Sequence, residues 1–125
     1  MGDAGNVYVV EDDEAVRASL VALLELGGWH ISEYASGDLF LADIAALPPG
    51  CVLLDMRMPG LDGIEVLERL PGGLMVLPVV VMTGHPDPTL AAAALHRGAI
   101  EFLEKPFSDD DLFEAVARAL EALPA

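Results

Sequence analysis

Four places in the sequence put chemically active side chains directly after an apolar run. Glu11-Asp12-Asp13 follows Val7-Tyr8-Val9-Val10, Asp55 follows Val52-Leu53-Leu54, Thr83-Gly84 follows Val79-Val80-Val81-Met82, and Glu104-Lys105-Pro106 follows Phe102-Leu103. If those runs are neighbouring strands, the carboxylates of Glu11, Asp12 and Asp55 meet, and like charges raise one another's pKa unless a cation shares them. A hard divalent ion such as magnesium resolves the conflict, because it favours a few carboxylates, waters and phosphate oxygens in an octahedral shell. Held there, it would bridge Asp55 to an incoming phosphoryl group and neutralise the charge that develops on transfer. Lys105 is the only lysine in the chain. Its ammonium suits Asp55 at rest and a phosphoryl oxygen after transfer, and the Thr83 hydroxyl can donate to a second such oxygen.

Each piece alone has a plainer explanation. Asp13 suits a helix cap, and Glu11 and Asp12 could complement a helix dipole. Asp55 could be a turn residue before Met58-Pro59-Gly60, Thr83 a turn hydroxyl and Lys105 a surface cation. Their coincidence favours the joint reading, because the acidic pair Glu11-Asp12, Asp55, Thr83 and Lys105 end or follow four different apolar runs.

The elements that must position these residues follow from periodicity. Apolar runs at 6–10, 29–34, 51–55, 78–82 and 100–103 predict strands. Those at 7–10, 52–54 and 79–82 are nearly continuous rather than alternating, as in parallel strands covered on both faces. Between and after the runs, apolar residues recur at three and four positions over 14–26, 37–46, 63–70, 88–97 and 109–123, the pattern of one helix face. Gly27-Gly28, Pro48-Pro49-Gly50 and Gly98 close helices, and Ser36 and Ser108 open them. Five βα units with right-handed crossovers predict an α/β, flavodoxin-like (βα)5 three-layer sandwich with a five-stranded parallel sheet in the order 2-1-3-4-5. In such a sheet the working crevice lies beyond the carboxyl ends of the strands, where the acids, threonine and lysine fall.

Composition bounds the rest. A chain of 125 residues is expected to be one domain, 1–125, able to bury its own core. Hydrophobic residues make up 54%, yet no apolar run approaches the roughly 20 residues of a membrane helix, so no membrane partner is expected. The first six residues show neither a basic region nor an apolar core of a secretory signal, which predicts a cytoplasmic location. A formal net charge of -15 repels phosphate backbones and argues against direct binding to nucleic acid. The single Cys51 lies in an apolar run and reads as a small buried hydrophobe, while His30, His85 and His96 are too scattered to form a metal set.

At this point the sequence resembles the receiver domains of two-component response regulators. Val-Val-Glu-Asp-Asp-Glu (9–14), Leu-Leu-Asp-Met-Arg-Met-Pro-Gly-Leu-Asp-Gly (53–63), Val-Met-Thr-Gly-His (81–85) and Phe-Leu-Glu-Lys-Pro-Phe (102–107) carry the likeness in order along nearly the whole chain. The resemblance implies that Asp55 is the phosphoacceptor and that Glu11 and Asp12 are the acidic metal-binding pair for Mg2+. It makes the backbone carbonyl of Arg57 a further metal ligand, and Thr83 and Lys105 the phosphoryl-sensing pair. Phe102 takes the position of the switch aromatic, and Lys105-Pro106 that of a bond that is typically cis. It also implies a sensor histidine kinase as donor and a phosphorylation-dependent homodimer. The domain itself is expected to be a signalling module and not a conventional enzyme.

The Thr-Gly-His and Glu-Lys-Pro-Phe wording is most similar to receivers of the nitrogen-fixation (FixJ-type) regulators, which usually precede a LuxR-type helix-turn-helix output domain. No output domain is visible in this chain. Glu11 replaces the commoner aspartate without changing charge, and Leu70-Pro71-Gly72-Gly73 shortens the third helix. A haloacid-dehalogenase-like phosphohydrolase would want a second aspartate where Arg57 stands. A flavodoxin would want a Ser-, Thr- and Gly-rich loop after the first strand, and a degenerate receiver would have lost part of the pocket.

Overall fold

The near-continuous apolar runs form the centre of one sheet in the computed structural model, which describes residues 5–70, 77–84 and 88–123. In chain order the elements are β1 (Asn6–Val10), α1 (Glu14–Leu26), β2 (His30–Tyr34), α2 (Gly37–Asp43) with a 3-10 turn (Ile44–Ala46), β3 (Gly50–Asp55) and α3 (Gly63–Arg69). They continue as β4 (Val79–Thr83), α4 (Pro88–His96), β5 (Glu101–Glu104) and α5 (Asp109–Glu121). The strands lie in the order β2-β1-β3-β4-β5, and every pairing is parallel. This is the topology the sequence predicts. The break expected at 71–73, the apolar lead at 74–76, and His85 lie outside the described residues.

Alternation along each strand sends successive side chains to opposite faces. Val7, Val9, Cys51, Leu53, Val80 and Met82 face a core closed by Leu20 and Leu24 of α1 and by Leu112 and Val116 of α5. Tyr8, Val10, Val52, Leu54, Val79 and Val81 face a second core with Phe40 of α2, Val66 of α3 and Ala94 of α4. Cys51 is fully buried, and burial pushes its thiol up to about 12, so it packs as the expected small hydrophobe.

Local capping fixes where the helices begin. The Asp13, Ser36 and Ser108 side chains accept from the backbone amides of Val16, Leu39 and Asp111, as expected for α1, α2 and α5. A further start signal is the reciprocal box of Asp62 and Glu65 at α3, in which each side chain accepts from the other residue's amide. Boundaries shift where no such signal exists. The α2 pattern, expected through 46, tightens at Asp43 because the Ile44 amide bonds back to Leu41, three residues away. Helix α5 ends at Glu121, not 123, where the Ala122 amide caps the last carbonyls. Strand β4 starts after Pro78, which has no N–H for the ladder, although its carbonyl accepts from the Val52 amide at 2.9 Å.

Candidate functional site

The parallel register brings the predicted residues to one edge of the sheet. Val10 pairs with Leu54, so Glu11, the next residue out of β1, stands beside Asp55 at the end of β3. Thr83 ends β4 and pairs with Glu104, and the Lys105 amide donates to the Thr83 carbonyl at 2.6 Å, which places Lys105 just beyond β5. The Lys105–Pro106 bond is cis. The chain leaves β3 through the Met56 amide, bonded to the Met82 carbonyl at 3.0 Å, and returns at α3 through the Gly63 amide, bonded to the Met56 carbonyl at 3.1 Å.

Glu11, Asp12 and Asp55 each offer a carboxylate oxygen, and these oxygens lie within 4.8 Å of one another. No other group of potential metal ligands is this close among the described residues. Glu11 and Asp55 are buried, at 2% and 5% exposure, whereas Asp12 is more open. One ammonium faces the cluster. Lys105 Nζ bonds Glu11 Oε1 at 3.0 Å and lies 3.6 Å from Asp55 Oδ1. The expected resting pair of Lys105 with Asp55 is present, and Glu11 joins it as the nearer, hydrogen-bonded partner that the sequence did not point to. The longer glutamate arm, with its second oxygen Oε2 accepting from the Asp13 amide at 3.2 Å, reaches the ammonium first.

Burial pushes the Glu11 carboxyl above the usual carboxylate range. Lys105 and the Asp13 amide pull it back down, and the Asp55 charge pushes it further up. One cation against three carboxylates leaves negative charge in excess. An all-oxygen donor set of this kind fits a hard divalent ion rather than a soft one.

The other predicted residues fall around this centre. The Arg57 amide donates to Asp55 Oδ1 at 3.4 Å, so its backbone adjoins the cluster while its side chain is exposed. Thr83 is fully buried, and alternation from Val79 and Val81 puts it on the α4 side of the sheet. Phe102 is partly buried against the core on that same side. Asp13 caps α1, and His30 and His96 are exposed. The sequence reading did not single out Arg17 of α1, which donates to the Glu11 carbonyl at 2.9 Å and, through Nε, to Glu33 of β2 at 2.9 Å. A signal did exist, since Arg17 is the only lysine or arginine before Arg57.

The family model for the response regulator receiver domain matches residues 7–117. The chain belongs to that family. This receiver is 44% identical to the transcriptional regulatory protein FixJ of Bradyrhizobium diazoefficiens, across 100% of this chain and 62% of that protein. It is 39% identical to FixJ of Rhizobium meliloti, across 95% of the chain and 58% of the relative. The crystal structure of FixJ-N superposes with a TM-score of 0.90 at 40% identity, covering 100% of the receiver and 99% of that chain. Full-length FixJ from B. japonicum gives a TM-score of 0.90 at 43% identity, with 98% of the receiver covering 61% of that chain. The chain thus spans between 54% and 62% of the length of the FixJ proteins it matches. No described helix is long and apolar enough to cross a membrane.

Proposed function

We propose that this receiver accepts a phosphoryl group on Asp55 from the phosphohistidine of a sensor histidine kinase. One juxtaposition supports this above all. Asp55 is buried at the sheet edge, 3.6 Å from the only lysine and within 4.8 Å of two further carboxylates, a setting that a turn residue would not need.

A carboxylate oxygen of Asp55 attacks phosphorus in line as the P–N bond to the donor imidazole breaks. The bonding pair stays on nitrogen, and an acyl phosphate forms. Mg2+ held by Glu11, Asp12, Asp55 and the backbone carbonyl of Arg57 would supply charge neutralisation to the phosphoryl oxygens. Lys105, resting between Glu11 and Asp55, moves its ammonium to one phosphoryl oxygen, and the Thr83 hydroxyl donates to another. Because Thr83 and Phe102 share a face of the sheet, movement of Thr83 toward the phosphoryl group opens space into which Phe102 turns. That shift biases the surface of α4, β5 and α5 toward an active arrangement already in the ensemble. The readout is a phosphorylation-dependent homodimer through that surface, or through α1 and β5, which controls an output domain such as a LuxR-type helix-turn-helix in the cytoplasm. The receiver itself, with its net charge of -15, stays off nucleic acid. Water later hydrolyses the acyl phosphate and resets the switch.

Incubation with acetyl phosphate and Mg2+ is expected to add the mass of one phosphoryl group to the intact protein, and EDTA to prevent it. No gain of mass with Mg2+ present would sink the phosphoacceptor reading. Lys105→Ala is expected to accept the phosphoryl group yet report it poorly, because the ammonium that registers the new oxygens is gone. Sedimentation of the phosphorylated variant checks this, and dimerisation equal to that of the native protein would refute it.

A further inference from the structure

The structure assigns Arg17 as a positioning residue that aims the Glu11 and Asp12 carboxylates into the metal cluster by gripping the backbone that carries them. Arg17 lies in the first turns of α1, with its amide bonded to the carbonyl of the N-cap Asp13 at 2.9 Å. Its Nη1 donates to the Glu11 carbonyl at 2.9 Å and reaches the Asp12 carbonyl at 3.5 Å. Its Nε donates to Glu33 Oε1 on β2 at 2.9 Å. The side chain is 15% exposed, against 50% for Glu33.

These bonds of Arg17 run to two main-chain carbonyls of the acidic turn and to Glu33 of β2, while Lys105 is the cation that meets the clustered carboxylates. A guanidinium suits this task because its donors diverge from one rigid plane, so it can span a strand side chain and two successive peptides at once. Fixing those peptides fixes the directions in which the Glu11 and Asp12 side chains leave the main chain. The Glu11 amide is tied to the same strand, donating to the Tyr34 carbonyl at 3.0 Å. The acidic turn is therefore pinned to β2 by two routes, one through its own amide and one through Arg17 and Glu33. The Glu11 carboxylate has further restraints, from Lys105 and the Asp13 amide. Asp12 is the more exposed of the pair, and it should loosen most when Arg17 is lost.

This inference rests on the reading that the cluster holds Mg2+, and the sign of the effect separates positioning from simple charge. A cation beside a cation site opposes the metal, so deleting Arg17 would tighten Mg2+ binding if its field were all that mattered. Losing a group that orients metal ligands weakens binding, by about tenfold at the lower end of the usual range.

Mg2+ titration by calorimetry on the whole chain, paired with melting in EDTA, tests this with Arg17→Met and Arg17→Lys. The methionine variant fills the space without donors and is expected to bind Mg2+ about tenfold more weakly. The lysine variant keeps the charge but only a point donor, and is expected to fall between it and the native protein. Binding by Arg17→Met as tight as native, or tighter, with only its melting temperature lowered, would overturn the assignment and leave a merely structural arginine. If Arg17→Met does not fold, Arg17→Lys decides, and native Mg2+ affinity in that variant overturns it equally. Failure of the native chain to bind Mg2+ would instead bring down the metal reading on which the inference stands.

Discussion

Asp55→Asn is expected to take up no phosphoryl group from acetyl phosphate, while melting at a temperature no lower than the native protein. The change removes the nucleophilic carboxylate and its negative charge but keeps the shape of the side chain. The amide is the same size, and its oxygen can still accept from the Arg57 amide, which bonds Asp55 Oδ1 at 3.4 Å. The ion pair lost is the longer of the two that Lys105 makes, 3.6 Å against 3.0 Å to Glu11. Against that loss stands relief of like-charge repulsion, since the Asp55 charge is one of the causes that push the Glu11 carboxyl up.

The same balance gives a pH dependence. A carboxyl whose folded pKa lies above its unfolded value stabilises the fold below the unfolded pKa, and that stability is lost as pH rises through the folded one. Glu11 is such a group, and Asp55→Asn should shrink its share of the loss. Intact mass and thermal melts across that pH range check both parts. Phosphoryl uptake by the variant would refute the site, and a large fall in melting temperature would show that the Asp55–Lys105 contact carries the fold.

Gly63→Ala should have the larger effect on stability, costing about 3 kcal/mol by overpacking. A Cβ at Gly63 would lie 2.5 Å from Met56 Sδ, 2.8 Å from Met56 Cα and 3.1 Å from the Asp55 carbonyl oxygen. The thioether can swing aside. The Met56 Cα and the Asp55 carbonyl cannot, because the Met56 amide is bonded to Met82 of β4 and its carbonyl to the Gly63 amide itself. The clash therefore moves the end of β3, and with it Asp55. Gly60 presents a different demand, since its φ of +79° favours glycine while an added Cβ would meet nothing nearer than an Asp38 oxygen at 3.9 Å. Urea denaturation should show the loss at Gly63, together with slower phosphoryl uptake. A cost below about 1 kcal/mol would mean that the return of the chain to β3 is less tightly packed than these distances indicate.

The parallel sheet was legible in the continuous apolar runs at 7–10, 52–54 and 79–82, because a strand covered on both faces needs no polar alternation. So were the strand order and the gathering of Glu11, Asp55, Thr83 and Lys105 at one edge, since short βα connections leave few topologies. Helix starts at Asp13, Ser36 and Ser108 could be read for the same local reason, as a side chain there bonds an amide three residues away. Helix ends were less legible. Residues 44–46 continue the apolar pattern of α2, and only the backbone bond from Ile44 to Leu41 shows that the turn has tightened.

The sequence by itself thus determined which chemistry stands at the strand ends, a matter of local periodicity and residue type. Only the tertiary structure decided which partners meet. Lys105 rests between the two, closer to Glu11 at 3.0 Å than to Asp55 at 3.6 Å, and Arg17 reaches Glu33 sixteen residues away only because β1 and β2 pair in parallel. The need for glycine at position 63 appears only once α3 returns against the end of β3. Differences of this size arise from packing between segments distant in sequence, which periodicity does not encode.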